Sequence, residues 1–181
     1  MEEIVKSYRL NQDGSRTAVG TYVRNSKWPE GTDDLYIVGI NNWIINSNGE
    51  FLVQQRAYTK PNNPGKWSST NGLVQLEEDS IDAVPRETEE ELGIKIGNNP
   101  IVLCKESQIA GEHLVVDIYV TCMDVDINDI VVDKEEVNKV SFVSLEDLMK
   151  LDISTTCSYI RKLAPELLEI AKNNKKNTRV I

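Results

Sequence analysis

The sequence predicts an α/β sandwich built on a mixed β-sheet, and three observations carry that expectation. Apolar runs rich in β-branched residues fill the first third of the chain, most clearly Leu35 to Ile45 and Phe51 to Arg56. A charged segment with helical spacing, Asp79 to Leu92, interrupts them. More strand-like runs follow, and an amphipathic segment, Thr155 to Asn173, closes the chain. Strands and helices alternating in this way bury a sheet between helical layers.

Taken in order, Glu2 to Leu10 and Ala18 to Arg24 flank the turn residues Asn11 to Gly14 and read as an N-terminal hairpin within residues 1–34. Asn25 to Asp34, with Pro29 and Gly31, is a loop. Leu35 to Ile45 and Phe51 to Arg56 are joined by Ser47-Asn48-Gly49-Glu50, an expected hairpin turn. Ala57 to Lys66 is a polar loop, and Trp67 to Leu76 leads into the charged segment. There Asp79 or Ser80 caps a helix that should run to Leu92 and stop at Gly93. Pro85 lies inside that helix, deprives Ile81 of its bond and is expected to kink the early turns. Ile101 to Lys105, His113 to Cys122 and Val137 to Val143 are further strands, with acidic loop at Asp124 to Glu136. Ser144 caps a short helix, Leu145 to Leu151. Thr155 to Asn173 is one terminal helix with a kink at Pro165, and Lys175 to Arg179 is expected to fray.

Composition narrows the function. A length of 181 residues suits one domain, residues 1–181. The net charge of −9 argues against nucleic acid or an anionic membrane as partner. No apolar run approaches a membrane span, and Met1 to Leu10 lacks the pattern of a signal peptide. Cys104, Cys122 and Cys157 stand at no metal-ligand spacing and read as reduced thiols, so the expected location is cytoplasmic.

The stretch Gly72 to Ile94 holds the chemistry. Gly72 is followed by Glu78, then by Arg86-Glu87, Glu90-Glu91 and Gly93-Ile94. Helical spacing puts Glu87, Glu90 and Glu91 on one side, where like charges repel. A hard cation relieves that repulsion, and magnesium so bound keeps sites for water and phosphate oxygens. These residues therefore read as a metal site for phosphate chemistry.

The stretch resembles the Nudix box, G-x5-E-x7-R-E-U-x-E-E-x-G-U, where U is a bulky aliphatic residue. Gly72, Glu78, Arg86, Glu87, Glu90, Glu91, Gly93 and Ile94 fall on it, and Thr88 departs at the first U. The resemblance implies a Nudix-type α/β/α sandwich with a mixed sheet. It also implies magnesium-dependent hydrolysis of a diphosphate linkage, in a nucleoside diphosphate joined to another moiety, by metal-activated water. Manganese is the implied substitute. By position, Glu87, Glu90 and Glu91 are the implied metal ligands, with Glu78 accessory and the Asn71 carbonyl adjoining. Arg86 orients a glutamate of the box, and Glu135 or Glu136 in a late loop supplies the base, so Glu87, Glu90, Arg86 and Glu136 form the implied catalytic set. Dimers are common in the family, so a homodimer is the expectation.

Outside the box, Met1 to Arg56, Val115 to Val120 and Glu135 to Leu148 are similar to a Nudix subgroup related to isopentenyl diphosphate isomerases. Type I isomerases need Cys-Gly-His where this chain has Asn71-Gly72-Leu73, together with further histidines. His113 is the only histidine, so isomerase activity is not expected. Arg56 and Lys66 flank the expected cleft as phosphate binders, and Trp67 is a candidate for stacking on a base. A fold-sharing module that binds a small molecule without turnover is the competing reading; the departures at Pro85 and Thr88 favour it.

Overall fold

The structure, a computed structural model, describes residues 4–177, with side chains as far as Asn174. Its strands are β1 (Ile4–Leu10), β2 (Arg16–Val23), β3 (Leu35–Ile45), β4 (Phe51–Arg56), β5 (Trp67–Ser68), β6 (Thr70–Leu73), β7 (Ile101–Ile109), β8 (Leu114–Cys122) and β9 (Val137–Val143). Its helices are α1 (Ser80–Leu92), α2 (Leu145–Leu148) and α3 (Ile160–Asn177).

β3 is the spine. It runs parallel to β8 from Ile37↔Leu114 to Ile45↔Cys122 and antiparallel to β6 from Gly39↔Leu73 to Asn42↔Thr70. The other pairings are antiparallel, so the sheet is mixed, as expected. The expected β3–β4 hairpin forms, but it opens after one pair, Ile45↔Phe51. β6 and β8 take the edges of β3, while β5 and β9 take those of β4.

Alternation along β3 and β8 distributes side chains to two cores. Val38, Ile40, Ile44, Val115 and Tyr119 meet Ala83, Val84 and Leu92 of α1. Trp43, Ile45, Val116, Ile118 and Val120 meet Ile160, Ala164, Leu167 and Ala171 of α3. Trp43 is fully buried and packs edge-on against Phe51. The sheet therefore lies between α1 and α3, the α/β/α sandwich implied by the box.

α1 has the expected bounds. The Asp79 N–H donates to the Asp82 carboxylate at 3.2 Å, and Gly93 ends the helix at φ 66°. The helix continues through Pro85, because Pro85 and Ile81 both lie on its exposed face. There the carbonyl that the missing N–H leaves unbonded faces solvent.

Three expected bounds shift. β7 extends to Ile109 through register irregularities, and α2 stops at Leu148. The expected terminal helix divides into a 3-10 turn, Thr155–Cys157, and α3. α3 carries its backbone through residues 175–177; Thr178 and Arg179 lie outside the described residues. No helix among the described residues is long and apolar enough to cross a membrane.

Candidate active site

A cavity of about 680 Å³ opens where β3, β6 and α1 meet. Glu87, Glu90, Glu91 and Arg86 line it from α1, Asn71 and Gly72 from β6, and Arg56, Asp133 and Glu136 from the neighbouring strand and loop. A cavity of this size suits a small molecule.

Gly72 makes the floor. A Cβ at this position would overlap the Glu87 carboxylate, so glycine lets that group rest against β6, and any side chain here would push it aside. Arg86 is the hub of the acidic set. Its Nε and Nη2 donate to both oxygens of Glu78 at 3.0 and 2.5 Å. Nη1 donates to Glu87 at 2.7 Å and Glu90 at 3.1 Å, and Nη2 also reaches the Leu73 carbonyl at 3.0 Å. Burial pulls the Arg86 pKa down, but the Glu78 hydrogen bonds and the charge of Glu87 outweigh it and raise it. Glu78 responds in kind. Burial raises its pKa, yet the Arg86 pair and the Gln75 N–H at 2.9 Å carry it below the usual range.

Glu91 is built differently. It is 5% exposed and accepts from Gln54 Nε2 at 2.7 Å and from the Asn71 N–H at 3.2 Å. Burial, with the charges of Glu87 and Glu136, pushes its carboxyl up to about 8 against those two hydrogen bonds.

The acidic set fits a hard divalent cation in its chemistry, because every donor is an oxygen. The Gly72 cradle also leaves room for Glu87 beside the backbone. Among the described residues, however, no three acidic, histidine or cysteine side chains converge into a metal-holding group. Arg86 holds Glu78, Glu87 and Glu90 as ion-pair partners instead.

Across the cavity, Glu136 pairs with Lys60 and with Arg56 at 3.3 Å. Lys66 does not line the cavity; it pairs with the exposed Asp152 at 3.0 Å. Trp67 does not line it either, but packs against the α3-side core with Lys139 over its ring. Local order gave no sign of this, because side-chain direction on a two-residue strand is set by its neighbours. Glu135 is exposed and also lies outside the lining.

A family model described as NUDIX domain matches residues 35–162. The chain belongs to the Nudix hydrolase family. An uncharacterised Nudix hydrolase of Listeria monocytogenes is 34% identical over 143 residues, 78% of this chain and 81% of its own length. The isopentenyl-diphosphate Δ-isomerase of Shigella flexneri is 42% identical over only 65 residues, 35% of this chain and 36% of the isomerase. The match thus spans about a third of that enzyme. Among solved structures, the DR0079 protein of Deinococcus radiodurans superposes with a TM-score of 0.70 over 91% of this chain and 99% of that one. At 17% identity, this likeness concerns the fold alone.

Family membership gives Thr88 its context. It stands at an aliphatic position of the Nudix box yet is fully buried. Its hydroxyl donates to the Val84 carbonyl at 2.7 Å and accepts from Asn42 Nδ2 at 3.3 Å. The Asn42 carbonyl in turn accepts from Thr121 at 2.8 Å. The polar residue is satisfied by the preceding turn of α1 and by Asn42 of β3, which Thr121 of β8 holds in place.

Sequence reasoning missed four residues. Asp133 lines the cavity from the acidic loop, and Gln54 holds Glu91 from an apolar strand. Tyr22 and Trp28 line it from the N-terminal hairpin and the loop after it. A tryptophan in an otherwise polar loop was the available signal for the last pair.

Proposed function

We propose that the chain hydrolyses a diphosphate linkage in a nucleoside diphosphate joined to another moiety, with magnesium. One observation carries the reading: Glu87, Glu90 and Glu91 face a single cavity whose Gly72 floor leaves room for a carboxylate. The Nudix box and the Listeria relative support it.

Glu87, Glu90 and Glu91 would hold the magnesium, with the Asn71 carbonyl beside them and Glu78 keeping Arg86 in place. When bound, the ion supplies charge neutralisation at phosphate oxygens and a more acidic water. Arg56 steadies a phosphate by its fork of donors. Glu136 takes a proton from the attacking water. Oxygen adds to phosphorus, the bridging P–O bond breaks, and its electron pair leaves on the departing phosphate. Manganese would substitute for magnesium. Reduced cysteines among the described residues, Cys104, Cys122 and Cys157, support a cytoplasmic location. One domain over residues 1–181 and a homodimer complete the proposal.

Ligand binding without turnover draws on one observation, the engagement of three box glutamates by Arg86. Hydrolysis of nucleoside triphosphates, dinucleotides, nucleotide sugars and prenyl diphosphates, run with magnesium beside Glu91→Gln, separates the two. Turnover of one class, abolished in the variant, is expected. Metal and ligand binding without product would establish the binding module instead.

A further inference from the structure

Three aromatic rings stack at the cavity wall. Trp28 lies between Tyr22, at 4.0 Å between centroids and 11° between planes, and His113, at 4.3 Å and 18°. The Tyr22 hydroxyl donates to the Ser26 carbonyl at 2.5 Å, and His113 Nδ1 meets the Leu35 carbonyl at 2.8 Å. Both outer rings are thus held before any ligand arrives, which lowers the ordering cost of binding. The rings belong to neither hydrophobic core, and each is only half-buried. Yet all three line the cavity that holds Glu87, Glu90 and Glu91. Tyr22 and Trp28 also precede residue 35, where the family match begins. The family domain carries the acidic floor and His113, and the chain before it supplies the other two rings.

We propose that the Tyr22–Trp28–His113 stack is the specificity subsite that receives the planar base of a nucleotide substrate. The proposal rests on the hydrolase reading for its placement beside the phosphates. Both faces of Trp28 are covered, so a further planar group adds to an outer ring, Tyr22 or His113. Bases stack on aromatic faces regardless of sequence, with energies large enough to govern affinity. Polar groups near the stack favour a base over an isoprenoid chain. Asn25 and Asn62 line the same cavity with amides suited to the edges of a base. An isoprenoid would desolvate those amides and leave them unpaired.

The test is calorimetric binding of AMP, GMP, CMP and UMP against ribose 5-phosphate, which carries the same sugar phosphate without a base. Wild-type protein is expected to bind at least one nucleotide about tenfold tighter than ribose 5-phosphate. Trp28→Ala is expected to erase that ratio and Trp28→Phe to restore most of it. A purely structural role would weaken all ligands alike and leave the ratio in place. Equal affinities in wild type, or an unchanged ratio in Trp28→Ala, would overturn the subsite. Tyr22→Ala provides the same reading if Trp28→Ala does not fold. No step requires turnover, so a failed hydrolysis panel beside an intact ratio sinks the hydrolase and spares the subsite.

Discussion

Arg16 and Arg86 are both largely buried guanidinium groups among carboxylates, with side chains 15% and 21% exposed. Arg16, on β2, forks onto one partner, Asp117 of β8, with two bonds of 2.7 Å. Asp117 is 1% exposed and also accepts from the Ser107 N–H at 2.9 Å. The more exposed Glu106 stands 3.6 Å away. That pair is close to charge balance and ties the N-terminal hairpin to the central sheet. Arg86 faces Glu78, Glu87 and Glu90 together, with Glu91 nearby. One cation against three acidic partners leaves a negative surplus at a cavity. A matched pair holds elements together, whereas a surplus is suited to recruiting a further cation.

Breaking the matched pair should have the largest effect on stability. Arg16→Met leaves Asp117 as a buried charge without its partner and is expected to lower unfolding free energy by about 3–5 kcal/mol. Denaturant titration measures this, and a loss below about 1 kcal/mol would show the pair to be dispensable. The surplus side is sharpened by Gly72→Ala, whose Cβ displaces the Glu87 carboxylate. Diphosphatase turnover should fall on the order of a hundredfold. A variant of wild-type activity would remove Glu87 from the proposed metal site. Arg86→Lys keeps the charge but loses the fork over Glu78, so kcat should drop about tenfold. Unaltered kcat would mean that the charge of Arg86 matters and its geometry does not.

A further effect concerns pH and the metal-free protein. The Glu91 carboxyl rises from 4.5 unfolded to about 8 folded. The folded state therefore retains a proton that the unfolded chain has released, and stability declines as pH rises across that window. Glu91→Gln removes this contribution to the decline, so with chelator present its melting temperature should exceed that of wild type by at least about 2–4 °C more at pH 8 than at pH 4. A parallel loss in both proteins would show that Glu91 is not what titrates.

Local signals and distant partners account for what could be read in advance. β3 and β4 are legible because β-branched and apolar runs end at an Asn-Gly turn. α1 is legible because Asp79 and Gly93 provide its capping signals. The box residues are legible because their spacing is itself the motif. The opening of the β3–β4 hairpin was not, since other strands compete for both edges. Nor was the division near Ser158, which separates a 3-10 turn from α3.

The sequence by itself determined the periodicities, the caps and the acidic set at helical spacing, because each depends on residues a few positions apart. Only the tertiary structure decided which groups meet. It set Lys66 on Asp152 and Trp67 on the α3-side core, and brought Trp28 against His113. Those contacts join residues far apart in the chain, where partners are selected by the packing of whole strands and helices and leave no local pattern.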